Sequence, residues 1–119
     1  MQAETLAAIE AIKSAINLLR KHVGWDTALG RAAALEAQIS SPNFWDMQEN
    51  AQRVMREKTH LDQQIAAITE LETQLQDQID LIQLAEEEND TELVDDANAE
   101  LARLAEIAGK KQLESLLSG

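Results

Sequence analysis

Glu57 and His60 form the spacing that most resembles a chemical site. On a helix, Glu-x-x-His places both side chains on one face, as in carboxylate-bridged di-iron bundles. Such a site needs a second copy and two more glutamates, but the only other histidine, His22, has Leu19 three residues before it. We therefore interpret the pair as a chance spacing on a charged helical face. The sequence predicts no metal site and no bound cofactor.

The sequence contains no recognisable motif for covalent or acid–base catalysis. The absence of cysteine excludes disulfides, thiolate metal sites and cysteine nucleophiles. Neither histidine lies near a recognisable serine motif or a phosphate-cradling glycine loop. Aspartate and glutamate are so abundant that their spacing carries no information about acid–base chemistry. We predict that the protein is not an enzyme and has no small-molecule substrate.

Two charged clusters are candidates for interaction. The acidic cluster lacks the Asp-x-Asp-x-Asp-Gly loop of an EF-hand, so it is either a solvated helix tip or a contact for a basic protein. The basic cluster is either solvated surface or a contact for RNA phosphates, and the same two interpretations apply to the pair Lys110 and Lys111. The acidic cluster comprises Glu86, Glu87, Glu88 and Asp90, and the basic cluster comprises Arg53, Arg56 and Lys58.

The overall charge limits the classes of partner. The 119 residues carry a formal charge of −12, which opposes non-specific attraction to nucleic acid and to anionic lipid. Between Thr59 and Ala102 there are 13 acidic residues and no lysine or arginine. The sequence contains no apolar run of membrane-spanning length and no secretion signal. We predict a cytoplasmic protein without a membrane partner, one end of which is strongly negative.

Apolar residues at steps of three and four predict two helices in the first third of the chain. The first is expected from about Ala3 to His22, with Gly24 ending it in a left-handed conformation. Asp26 is the predicted N-cap of the second, which stops at Ser40-Ser41-Pro42 because proline disfavours helical geometry in the preceding residue. The expected buried faces are Leu6, Ile9, Ile12, Ile16, Leu19 and Val23 in the first helix, and Ala28, Ala32, Leu35 and Ile39 in the second.

An aromatic turn follows Pro42. We predict that Phe44 and Trp45 are mostly buried at the helix junction, because the chain has few other large apolar residues. The alternative is that this pair is an exposed docking hot spot. The same interpretation is applied to Trp25, and Asp46 is expected to cap the next helix.

The rest of the sequence predicts a helical hairpin. From Met47 to Glu88 there is neither glycine nor proline, and the three-four rhythm continues, so one long helix is expected. Asn89-Asp90-Thr91 supplies a turn and cap, after which a helix returns antiparallel to about Gly109. The predicted fold is all-α, a three- to four-helix bundle with a long antiparallel coiled-coil-like hairpin, forming one domain over residues 1–119.

Several blocks of this sequence resemble the N-terminal PCRF domain of the bacterial class I peptide chain release factors. The strongest runs from Leu35-Glu36 through Ser41-Pro42-Asn43-Phe44-Trp45 to Ala51-Gln52, with Lys58 and Leu61 beyond. Its Phe-Trp pair is typical of the type that reads UGA and UAA, because the type reading UAG and UAA usually lacks it. Weaker blocks are the acidic stretch from Leu84 to Asp90 and the final Leu116-Leu117-Ser118-Gly119, which is similar to a domain junction.

The resemblance implies a role in translation termination without catalysis by this chain. The family's hydrolytic Gly-Gly-Gln loop and codon-reading Ser-Pro-Phe loop do not occur in the sequence, so no catalytic or decoding residue is transferred. The implied partner is the ribosome, at the stalk base in the GTPase-associated region of the large subunit. Stop-codon mRNA would be met only through the domains that hold those loops, and the gene is expected to continue into them.

A second hypothesis comes from periodicity and charge alone. An acidic coiled-coil adaptor or oligomerisation module, free-standing, would show the same apolar rhythm. It predicts self-association through the face from Leu61 to Ile82.

Overall fold

The computed structural model describes residues 1–118, and all of the regular structure within that range is helical. The elements in order are α1 (Ala3–Val23), α2 (Trp25–Ile39), a short 3-10 turn (Phe44–Asp46), α3 (Gln48–Glu87) and α4 (Thr91–Leu117). The predicted all-α fold with a long helical hairpin is therefore confirmed. None of the described helices is long and apolar enough to cross a bilayer. Gly119, the last residue of the proposed junction block, lies outside the described range.

The chain divides into two compact units. We call Met1–Arg20 together with the chain from Ile68 onward the acidic bundle, and Lys21–Ala67 the aromatic unit. The division falls inside α1 and inside α3, so each of these helices contributes residues to both units. The assignment of residues 1–119 to one domain stays a prediction.

The acidic bundle packs α1, the second half of α3 and α4 around an aliphatic core. Its α3 and α4 are joined by only three residues, which makes them antiparallel neighbours as predicted. Leu101 and Leu104 of α4 and Ile82 of α3 are fully buried. The remaining buried apolar residues are Ile9, Ile12, Ala15, Ile16, Ile68, Leu71, Leu75, Ala85, Ala97 and Ala108.

One predicted core position of α1 is wrong. Leu6 is 51% exposed, and the neighbouring Thr5 is buried in its place. The Thr5 hydroxyl donates a 2.6 Å hydrogen bond to the Asn98 side-chain oxygen on α4, which compensates for burying a polar group. Leu6, three residues before Ile9, and Thr5, four residues before it, both fit the same helical face. The apolar pattern alone favours Leu6, which is the wrong position.

The aromatic unit has a smaller core between α2 and the start of α3. Leu35, Phe44, Ala51 and Val54 form a buried cluster, against which Ile39 and Leu61 pack. The Arg31 guanidinium on α2 donates two hydrogen bonds, of 2.8 and 3.0 Å, to the Glu57 carboxylate on α3. These exposed contacts join α2 to α3 but add little stability.

Asp26 is not the N-cap of α2. The helix begins at Trp25, so Asp26 lies in its first turn and Gly24 occupies the cap position with φ +70°. That left-handed conformation was predicted for Gly24, and it turns the chain so tightly that α2 starts one residue after α1 ends. The Gly24 carbonyl accepts hydrogen bonds from the Thr27 hydroxyl at 3.1 Å and from the Ala28 N–H at 2.9 Å.

Two further boundary predictions are wrong. Asp46 belongs to the 3-10 turn, and α3 begins two residues later at Gln48, so Asp46 is not at the cap position. The last helix does not end near Gly109 but continues to Leu117. Gly109 is helical because one glycine costs a helix only about 1 kcal/mol relative to alanine, which the packed turns on either side offset.

Candidate interaction surfaces

The aromatic turn is built by backbone hydrogen bonds around Pro42. The Phe44 N–H donates to the Ser41 carbonyl at 3.1 Å, and the Asp46 N–H donates to the Asn43 carbonyl at 3.2 Å. Pro42 is exposed and lies between the end of α2 and the 3-10 turn. The interruption that the sequence predicted at Ser41–Asp46 is therefore confirmed.

The two rings of this turn have opposite environments. Phe44 is 6% exposed and belongs to the core of the aromatic unit, whereas Trp45 is 61% exposed. Burial was predicted for both, which is right for Phe44 and wrong for Trp45. Successive residues of a 3-10 turn point about 120° apart, so a core on one side of the turn receives only one of them.

Phe44 nevertheless supports Trp45. Their ring centroids are 4.9 Å apart with an interplanar angle of 84°, an edge-to-face arrangement. Met47, 70% exposed, follows directly after the turn. The turn therefore presents two large apolar side chains to solvent on a buried aromatic support. Trp25, the first residue of α2, is half-buried.

The first turns of α3 carry an exposed basic face. Arg53, Arg56 and His60 are all exposed and follow one another at steps of three and four, which places them on one side of the helix. The buried Ala51 and Val54 lie on the other side. A shallow hollow of about 280 Å³ borders this face and is lined by Met55, Arg56, Thr59, His60 and Gln63.

Lys58 differs from the two arginines because its charge is already paired. Its ammonium lies 2.5 Å from an Asp62 carboxylate oxygen and 3.3 Å from one of Glu36. Hydrogen bonds to Asp62 and then to Glu36 raise the pKa of Lys58 above its ordinary value. The Glu36 contact joins α2 to α3 inside the aromatic unit. Lys58 therefore links these two helices and does not present an unpaired charge to solvent.

The Glu57 and His60 spacing does not form a ligand pair. Glu57 accepts the two hydrogen bonds from Arg31, and His60 lies on the exposed basic face. Within residues 1–118, no three histidine or acidic side chains are placed to hold a metal ion.

The acidic cluster lies at the tight turn between α3 and α4. The Asp90 N–H donates to the Ala85 carbonyl at 2.9 Å and the Asn89 N–H donates to the Glu86 carbonyl at 3.2 Å, with Asn89 left-handed at φ 55°. This is the Schellman pattern of a helix end. Asp90 then caps α4, because its carboxylate accepts a 3.0 Å hydrogen bond from the Leu93 N–H. The turn and cap were correctly predicted.

Beside this turn the acidic bundle has an open groove of about 360 Å³. Its lining includes Glu86, Asp90 and Asp95 around the apolar side chains of Ile82 and Val94. The α-amino group of Met1 lies 3.1 Å from a Glu86 carboxylate oxygen at the edge of this groove. Glu87 and Glu88 are exposed, so the surface around the turn is strongly negative.

The exposure of Met47 and the buried Thr5–Asn98 bond were missed at the level of sequence. Met47 has polar neighbours on both sides, Asp46 and Gln48, a pattern that is typical of a solvent-facing position. Thr5 and Asn98 are 93 positions apart, and no local spacing signals their pairing.

Most of the chain matches a known protein family. Residues 29–119 match the model of the PCRF domain family. This range includes most of α2, the aromatic turn, α3 and α4.

Curated relatives match over the full length of the chain. Peptide chain release factor 2 of Paramagnetospirillum magneticum is 40% identical over 119 residues, which is 100% of this chain and 32% of that protein. The protein of the same name from Ruegeria sp. is 36% identical, with the same two coverages. That from Neorickettsia sennetsu is 30% identical over 100% of this chain and 33% of its own length. The chain therefore spans about a third of the length of these relatives.

Proposed function

Because this chain belongs to the PCRF domain family, we propose that it is a non-catalytic, ribosome-docking domain of a stop-codon-reading peptide chain release factor. It positions the factor in the cytoplasm during translation termination. Codon reading and hydrolysis belong to other domains of such a factor. The resemblance implies that the codons read are UGA and UAA.

The observation that carries this proposal is the alignment of the entire chain with proteins named peptide chain release factor 2. The aromatic turn adds to it, because Phe44 locks α2 against α3 and so fixes the shape that a docking domain must keep. A positioning domain contributes by holding reacting groups in place, and it needs no catalytic side chain of its own.

For the finer location we propose the stalk base, in the GTPase-associated region of the large subunit. The surface around Glu86, Glu87, Glu88 and Asp90 is suited to a basic ribosomal protein, since complementary charge speeds and orients docking. Contact with RNA phosphates at this surface would be repulsive.

The free-standing adaptor hypothesis is disfavoured by the family match. It predicts association through the face from Leu61 to Ile82, but Ile68, Leu75 and Ile82 on that face are buried within the acidic bundle. Sedimentation of a single monomeric species over a wide concentration range would remove it.

A chimaera tests the proposed function. In it, this chain replaces the segment that it matches in release factor 2 of Paramagnetospirillum magneticum, and peptide release is measured on ribosomes programmed with UGA. We expect release close to that of the parent factor, and at least about tenfold faster than that of the factor without the segment, because misplacement alone costs one or two orders of magnitude. The chain by itself should release no peptide.

The control chimaera carries an unrelated helical bundle of similar size and charge. If it releases peptide as well as the chimaera with this chain, the segment acts only as a spacer and the proposal is wrong. Hydrolysis by the isolated chain would contradict its non-catalytic part.

A further inference from the structure

We propose that the exposed indole of Trp45 and the guanidinium groups of Arg53 and Arg56 form an RNA-binding surface, on which an unpaired base stacks while the arginines contact phosphates. This surface is called the stacking surface below. The inference rests on the proposed function for the identity of the RNA as ribosomal, and on the aromatic unit alone for its chemistry.

The first argument is the state of the indole. Trp45 and Met47 are 61% and 70% exposed, although the chain has only three aromatic residues and buries the neighbouring Phe44. The edge of one ring against the face of the other holds Trp45 at a defined angle, 84° from Phe44. A base that stacks on an indole held in this way loses less freedom on binding than one that must order a mobile side chain.

The second argument is the charge on α3, the helix that follows the indole in the chain. Within residues 1–118, neither Arg53 nor Arg56 forms an ion pair with a carboxylate, and Arg53 donates only to the Asn50 side-chain oxygen at 2.7 Å. By contrast, Arg31 and Lys58 in the same unit are paired with carboxylates. The two guanidiniums that remain are the ones on the exposed side of α3.

The third argument is spacing. Arg53 and Arg56 lie five and eight residues after the start of α3, or about 8 and 12 Å along its axis at 1.5 Å per residue. Trp45 lies three residues before that start. The two arginines are therefore separated by about 4.5 Å along the helix axis, so both can contact neighbouring phosphates of one RNA strand.

RNA fits this combination better than an acidic protein. The carboxylates of an acidic protein would pair with the guanidiniums, but a separate aromatic residue would be needed to stack on the indole, whereas each nucleotide supplies both a phosphate and a base. The strong negative charge of the acidic bundle repels phosphates and so confines RNA to the aromatic unit.

Trp45 itself reports the test. A Trp25→Phe variant of the chain leaves Trp45 as the only tryptophan, and its fluorescence is titrated with a single-stranded oligoadenylate of about 12 nucleotides at low salt. Stacking should quench this fluorescence in a saturable manner. Heparin, a polyanion without bases, should not quench it.

Substitutions separate the two parts of the surface. Measured by anisotropy of labelled oligoadenylate, Trp45→Ala should weaken binding about tenfold, the loss of one stacked base. Arg53→Gln with Arg56→Gln should lower the slope of log affinity against log salt by about 1.4, the value for two phosphates on a single strand. The matched control, Lys110→Gln with Lys111→Gln, removes the same charge from the acidic bundle and should leave the slope unchanged. Circular dichroism verifies that each variant is folded.

Unchanged Trp45 fluorescence with oligoadenylate, or equal quenching by heparin, would overturn the inference. So would a Trp45→Ala variant that is folded and binds as tightly as the parent. The chimaera separates the two proposals. If the chimaera is active but the chain binds no RNA, only the proposed function stands. If the chain binds RNA but the chimaera is inactive, only the stacking surface stands.

Discussion

The acidic bundle contains 16 acidic and 5 basic residues, whereas the aromatic unit contains 6 acidic and 5 basic residues. Their formal charges are therefore −11 and −1. The two units also differ in where their basic residues lie. The aromatic unit has two exposed arginines on the stacking surface, whereas, in the part of the chain that the structure describes, no arginine lines the groove of the acidic bundle. A single chain thus offers one surface suited to basic protein and another suited to RNA.

The two units are also stabilised differently. The acidic bundle buries many aliphatic side chains along three helices, whereas the core of the aromatic unit depends on one ring, Phe44, between Leu35, Ala51 and Val54. Their α2 and α4 helices also begin differently, with a left-handed glycine at α2 and a side-chain cap at α4. Substitutions at matched positions should therefore have unequal effects.

The largest effect is expected from the two rings of the aromatic turn. Phe44→Ala should lower the free energy of unfolding by about 3–5 kcal/mol, because it leaves a cavity in a small core. Trp45→Ala should lower it by only about 0.5–1.5 kcal/mol, the contribution of the edge-to-face contact between an exposed indole and Phe44. Urea denaturation followed by circular dichroism measures both. Equal losses of stability in the two variants would contradict the assignment of Phe44 to the core and of Trp45 to the surface.

Gly24→Ala should be the next most damaging change. Its φ of +70° costs a residue with a Cβ about 1–2 kcal/mol, although an added Cβ would meet only the Thr27 hydroxyl oxygen, at an ordinary contact distance of 3.5 Å. Gly24→Asn is the matched control, since asparagine adopts this conformation more readily and should lose less. If thermal unfolding gives the two variants the same stability as the wild type, the turn between α1 and α2 does not depend on glycine.

The cap of α4 allows a direct comparison with that of α2. Asp90→Ala should cost about 1 kcal/mol, because the Leu93 N–H loses its acceptor. Glu92→Gln, in the first turn of the same helix, removes a charge without removing the capping bond and should cost less. Chemical denaturation at high salt, which screens the charge difference, measures the stability of both variants. Equal stabilities would contradict the capping role of Asp90.

Two glycines inside helices should respond in the opposite direction. Nothing lies within 4 Å of a Cβ added at Gly30 of α2 or at Gly109 of α4. Gly30→Ala and Gly109→Ala should each stabilise the protein by about 0.5–1 kcal/mol, since alanine loses less backbone entropy in a helix. A fall in melting temperature for either variant would contradict the open space around its glycine.

The smallest effect is a pH dependence in the acidic bundle. Hydrogen bonds from Arg103 lower the pKa of Glu100 below its ordinary value of 4.5. The contribution of this pair to stability is therefore present above pH 4.5 and is lost as the pH falls through the lower pKa of the folded state. The difference in melting temperature between wild type and Glu100→Gln should shrink over that interval. A difference that stays constant as the pH falls would contradict the pairing.

Sequence patterns predicted the helices better than the surfaces. The steps of three and four, the break at Pro42 and the Asn89–Asp90 turn are local signals, and they gave the helices with few errors at their ends. Which side of a turn faces the core depends on distant residues, so the exposure of Trp45 was not predictable from Pro-x-Phe-Trp alone. The same holds for Thr5, whose burial depends on Asn98, and for Lys58, whose pairing with Glu36 requires α2 to pack on α3. The roles of Arg53, Arg56 and the acidic cluster in binding stay predictions.

Site-specific photocrosslinking tests the central claim most directly. A photoreactive phenylalanine analogue is placed at position 45 or at position 88 of the chimaeric factor, which is then bound to ribosomes programmed with UGA. Crosslinks from position 45 should join ribosomal RNA, and those from position 88 should join ribosomal protein. RNA crosslinks from position 88 and none from position 45 would reverse the assignment of the two surfaces, and no crosslink to the ribosome from either position would contradict docking through this domain.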